Sequence, residues 1–152
     1  MLLALLTACS VNPFKSEGEH KYFSSKEKAI EHYIEDNDVR GSVEVITTKK
    51  EETILVTQFR DNTYFVGELK EDDGEFFTAK LSANVHMERG GAWELNSMNG
   101  NEYTIFFKKE NEPNYKQLSN DEYFVSFVEG QAFDEHSSNH NNAITDIENV
   151  KE

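Results

Sequence analysis

Between Ser24 and Gly41 the apolar positions follow a helical rhythm. Ala29, Ile30, Tyr33 and Ile34 fall on one face, and Lys26, Glu27, Glu31 and Glu35 fall on the other. Ser24-Ser25-Lys26-Glu27 just before it has the form of a capping box. In that arrangement the Ser24 hydroxyl and the Glu27 carboxylate serve the free N–H groups of a first turn. The pattern predicts one amphipathic helix from Ser25 to Asp36, ended by Asn37, Asp38 and Gly41.

Beyond Gly41 apolar and polar residues alternate, as they do along strands. Val43 to Thr48 and Thr53 to Arg60 are β-rich runs joined by the polar Lys49-Lys50-Glu51-Glu52. Asp61-Asn62 separates them from Thr63 to Lys70, and Glu71-Asp72-Asp73-Gly74 leads into Phe76 to Val85. Gly90-Gly91 precedes Ala92 to Met98, and Asn99-Gly100 is a strong hairpin signal before Glu102 to Lys108. Asn111 to Asn120, with Pro113, reads as a loop, and Tyr123 to Val128 as a last strand. Short connections favour neighbouring antiparallel strands. The expected fold class is therefore α+β, one N-terminal amphipathic helix packed on an antiparallel β-meander of about six to seven strands.

The stretch from Glu129 onward is polar and rich in Asn, Ser and acids. Residues 133–152 read as an acidic, largely disordered tail, although Ala143, Ile144, Ile147 and Val150 have the spacing of a short helix. The single α+β domain is accordingly expected over 23–132. A chain of 152 residues accommodates one such core, and the 11 Phe, 6 Tyr and 1 Trp make up for an apolar fraction of only 37%. The formal net charge of −14 argues against nucleic acid and against charge-held contact with anionic lipid.

Cys9 is the one cysteine, so an internal disulfide, a thiolate zinc site and a second thiol are all excluded. Residues 1–8, Met-Leu-Leu-Ala-Leu-Leu-Thr-Ala, are too short an apolar run to span a bilayer, which takes about 20 residues. They have the length and the small-residue ending of a signal peptide's apolar region, without a basic residue ahead of Leu2. Leu6-Thr7-Ala8-Cys9 resembles the bacterial lipobox. That resemblance implies cleavage before Cys9 and a diacylglycerol thioether on its sulfur. Residues 9–22, with Pro13, Lys15, Ser16, Glu17 and Gly18, then read as lipidated Cys and flexible tether. In layout (lipobox, tether, capped helix, aromatic-rich strands, acidic tail) the chain resembles small lipoproteins of Gram-positive, Bacillus-type bacteria. The resemblance implies a cell-membrane address on the extracytoplasmic face, and no particular activity.

Candidate chemistry is sparse. Trp93, Tyr103 and Phe107 are candidates for a ligand groove, though aromatics at strand spacing also build cores. His136 and His140, four apart and near Asp134 and Glu135, have a spacing that suits a metal only on a helix, and Ser137, Ser138 and Asn139 are poor helix formers. Asp72-Asp73-Gly74-Glu75 shares part of a calcium-loop pattern but lacks its alternating ligands, and reads as a turn. His86 and Glu88 are a candidate acid/base pair with no nucleophile placed beside them. Phosphate loops, zinc-protease helices and nucleophile elbows are absent from the sequence.

The expectation is a non-catalytic membrane-anchored lipoprotein that binds a protein or envelope component, with no cofactor, no metal and no nucleic-acid partner. The alternatives are a small-ligand or divalent-cation binding module and a hydrolase of envelope polymers. A groove between helix and sheet with converging polar groups would favour these alternatives, and a flat exposed apolar patch would favour the first reading.

Overall fold

Residues 19–131 and 141–151 are described by a computed structural model of the chain. Helix α1 spans Lys26–Asp36 and buries Ala29, Ile30 and Tyr33. Its cap is Ser25, one residue later than expected. Ser25 has extended backbone, and its hydroxyl accepts the Lys28 N–H at 3.3 Å, while the Ser24 hydroxyl meets Lys28 Nζ at 3.4 Å instead. Asn37 closes the helix by donating both its backbone N–H and its side-chain amide to the Tyr33 carbonyl.

The strands are β1 (Val43–Thr48), β2 (Thr53–Arg60), β3 (Thr63–Asp72), β4 (Glu75–Lys80) and β5 (Val85–His86). They continue with β6 (Gly91–Asn96), β7 (Glu102–Lys108), β8 (Lys116–Gln117), β9 (Phe124–Glu129) and β10 (Ile144–Lys151). They form two antiparallel sheets. The larger runs β10-β1-β2-β3-β4, with β5 also pairing along β3, and the smaller runs β6-β7-β9-β8. The expected α+β class, a helix on one meander, is therefore overturned. The fold is mostly β, two sheets packed face to face, and the short helix is a minor outer layer.

The split between sheets has a local cause. The expected single strand Phe76 to Val85 bends after Lys80, where the N–H groups of Leu81 and Ser82 both turn to the Val66 carbonyl and the Ser82 hydroxyl accepts the Val66 N–H. The chain then crosses to the smaller sheet at Gly90. Gly90 has φ +82°, and a Cβ there would come within 2.6 Å of the Phe107 carbonyl oxygen, so glycine alone fits the crossing.

Between the sheets, Ile46, Ile54, Val56, Tyr64 and Val66 meet Leu95, Tyr103, Ile105, Phe107, Val125 and Phe127. On the opposite face of the larger sheet, α1 packs Ala29, Ile30 and Tyr33 against Val43, Leu55, Phe65 and Leu69. The Tyr33 hydroxyl bonds the Thr57 hydroxyl at 2.7 Å, and burial raises its pKa. Its ring lies over Gly67, where a Cβ would sit 2.6 Å away.

The segment Ile144–Lys151, expected to belong to a loose tail with helical spacing, is a strand of the larger sheet. Its pairing with β1 skips Thr145 and Val150, since Thr48 faces Ile144, Thr47 faces Asp146, Glu44 faces Asn149 and Val43 faces Lys151. Each skip is a bulge that reverses the strand's phase. Ile144 and Ile147, three apart, thus both reach the inter-sheet core. The domain therefore includes residues beyond the expected boundary at 132. Among the described residues no helix is long and apolar enough to cross a membrane.

Candidate functional site: an acidic groove between helix and sheet edge

Helix α1 lies against β3 and β4 and leaves the outer part of that face, on β1 and β10, without a cover. The result is a groove of about 590 Å³ between α1 and β10. Its apolar floor is Ile30 and Ile34 from the helix, Val45 and Leu69 from the sheet, and Val150, which is 38% exposed.

The rim is acidic. Glu27 and Glu31 project from successive turns of α1, and Asp146 and Glu148 stand on the facing strand. The register puts the latter two on the groove side of the sheet, because they pair with Thr47 and Val45, whose side chains face the helix layer. Four carboxylates thus oppose one ammonium, that of Lys26. Like charges held across an open groove create a negative potential that attracts cations. The apolar floor adds a place for aliphatic side chains. A basic group beside the rim and an apolar group on the floor are both satisfied at once.

Three further carboxylates, Glu44, Glu52 and Glu68, are at most 4% exposed and act between the sheets. Glu44 and Glu68 reach from strands of the larger sheet, and Glu52 from the turn between β1 and β2, to groups on the smaller sheet. Glu44 accepts the Ser119 N–H at 2.7 Å, the Ser119 hydroxyl, and the Asn149 amide at 3.4 Å. Glu68 accepts the Met98 N–H at 2.7 Å, and Glu52 accepts the Tyr103 hydroxyl at 2.5 Å. Burial raises the Glu68 pKa and neighbouring Glu52 adds to this, while the bond from Met98 opposes it. The Tyr103 hydroxyl is pushed up to about 12, first by burial and then by its bond to Glu52. These glutamates hold turns of one sheet onto strands of the other. Sequence reasoning gave them no role, since a Glu between Val43 and Val45 reads as a solvent-facing strand position.

None of the residues singled out by sequence as candidate chemistry lines the groove. Tyr103 and Phe107 are fully buried between the sheets, and Trp93 stacks on Phe107 at 5.1 Å, so this trio forms core and offers no open cleft. His86 and Glu88 approach to 3.6 Å with about two thirds of each side chain in solvent. Asp73 and Gly74 both have positive φ, the signature of a tight type I′ turn joining β3 to β4. Cys9, His136 and His140 lie outside the described residues. Among the described residues no three His, Cys, Asp or Glu side chains converge as a metal site would need. The groove itself was missed because its rim is shared between a helix and a segment read as tail. Compared with known proteins, the chain matches no family model, no characterised protein and no solved structure.

Proposed function

We propose that this chain is a membrane-tethered binding protein of the extracytoplasmic face, non-catalytic, whose helix–sheet groove takes a basic segment of a protein partner. The observation that carries this reading is the groove, with Glu27, Glu31, Asp146 and Glu148 around an apolar floor. A helix–sheet groove is the feature set above for a small-ligand or cation module. These carboxylates, however, line two opposite rims without converging, which suits an extended basic segment better than one ion or small molecule. Its charge selects cationic side chains, and its floor selects against a purely hydrophilic polycation. The tether rests on Leu6-Thr7-Ala8-Cys9 at the start of the chain. An anchor with two acyl chains holds a protein at a membrane stably, and the net charge of −14 keeps the domain from lying flat on anionic lipid.

The test has two arms in living cells. Metabolic labelling with an alkyne fatty acid is expected to mark the wild-type chain and to miss Cys9→Ser. A photo-crosslinking residue at position 31 or 146 is expected to capture a protein through a Lys- or Arg-rich peptide. The same residue at position 94, on the smaller sheet, should not. Equal labelling of wild type and Cys9→Ser rejects the anchor. Equal capture from all three positions, or capture through an acidic peptide, rejects the groove.

A further inference from the structure

The groove is bounded on its outer side by β10, and β10 is the end strand of the larger sheet. The sheet's two edges are treated differently. At β4, Phe23 lies alongside and exchanges backbone hydrogen bonds with Phe76 at 2.7 and 2.8 Å. At β10, no other described strand forms backbone bonds along the side facing away from β1, and the local contacts are the Ile144 N–H on the Asn142 side-chain oxygen and the Asn149 amide on the Lys151 carbonyl. Between the bulges at Thr145 and Val150, the stretch Asp146 to Asn149 keeps an unbroken register with β1. That stretch is a regular template with half its backbone groups unmatched.

We infer that the partner's basic segment binds as an added antiparallel or parallel strand along β10, with basic and aliphatic residues in alternation. This rests on the groove reading above and specifies its geometry. The two faces of β10 differ, and an added strand inherits the difference. On the groove face it would run beside Asp146 and Glu148, where Lys or Arg forms cross-strand ion pairs. On the opposite face it would run beside Ile144 and Ile147 at the margin of the inter-sheet core, where Val or Ile extends the apolar layer. A second copy of β10 would bring further acids against Asp146 and Glu148, so the same edge disfavours self-pairing. Main-chain bonds supply the affinity, and side-chain alternation supplies the selectivity.

The experiment uses the full chain and a short synthetic peptide of alternating lysine and valine. A peptide of equal composition with all lysines before all valines is the control. Anisotropy titration is expected to show saturable binding of the alternating peptide only, weakened about tenfold or more by Asp146→Lys with Glu148→Lys. Both substitutions are on exposed side chains, so the fold is retained. NMR-detected hydrogen exchange is expected to slow at every second amide from Asp146 to Asn149 when the peptide is bound, and to stay unchanged in α1. Charge-dependent binding with no slowing on β10 overturns the added strand and leaves the groove reading standing. Equal binding of the block peptide likewise overturns the added strand alone, and failure of both peptides to bind overturns both.

Discussion

The two faces of the larger sheet have been built to different standards. The face toward the smaller sheet is sealed: aromatic and branched side chains fill it, and Glu44, Glu52 and Glu68 fasten its margins to turns and a tyrosine of the opposite sheet. The face toward α1 is covered only in part. The helix satisfies β3 and β4 with Tyr33 seated over Gly67, and leaves Val45, Thr47 and Val150 beside an acidic groove. A sheet with both faces sealed would be more stable and would have no place to bind. The comparison teaches that the closely packed core lies on one side of these strands, while the other side keeps the open acidic surface on which the proposed recognition rests.

The largest effect is expected where the sealed face is thickest. Phe127 is fully buried beside Ile105 and the Tyr103 ring, and Phe127→Ala should lower unfolding free energy by about 3–5 kcal/mol in denaturant titration. A loss under about 1 kcal/mol would mean that the sheets do not share one core. On the helix side, Gly67→Ala should cost less, about 1–3 kcal/mol, because the new methyl displaces the Tyr33 ring from an otherwise open layer. Nuclear magnetic resonance shifts should report that disturbance in α1 and leave the smaller sheet alone. A change centred on the smaller sheet would contradict the separation of faces.

The smallest effect sharpens the comparison through pH. Burial holds Glu68 above its ordinary value of 4.5, so folding favours the protonated form. Its contribution is fully present below the unfolded value and is lost as pH rises through the raised folded value. Glu68→Gln keeps an oxygen for the Met98 N–H and removes the charge. The variant should therefore be more stable than wild type near about pH 7, and the advantage should shrink to nothing below about pH 4.5. Denaturant titrations of both proteins across that range check it, and an advantage that stays constant with pH would refute it.

Much of the strand layout was legible because turn chemistry marks it. The bounds of β1, β2 and β7 agree with the alternating runs, each lying between polar or Gly-containing breaks such as Lys49 to Glu52, Asp61-Asn62 and Asn99-Gly100. Which sheet a strand joins was not legible. Alternation states that one side of β6 or β7 is apolar and is silent about the partner. The bend at Leu81-Ser82 is made by a serine hydroxyl that takes a ladder position, and it carries no apolar signature. In β10 the bulges at Thr145 and Val150 convert an alternating strand into a three-residue spacing, and a helical reading of Ile144 and Ile147 follows from that. The groove needed both α1 and β10 to be visible, and the buried glutamates needed their donors on distant turns.

The pairing of β10 with β1 also sets a tempo. Asn149 and Glu44 are 105 positions apart, and a closure of that length carries an entropic penalty of about 4 kcal/mol before any contact compensates it. At typical synthesis rates of about 5–20 residues per second, β1 emerges from the ribosome some 5–20 s ahead of the strand that completes its sheet. During that interval β1 has β2 on one side and nothing permanent on the other, and Ala143 and Ile144 are missing from the core. The nascent chain is thus held in an incompletely closed state for seconds, which is long compared with the time a folding factor needs to find it.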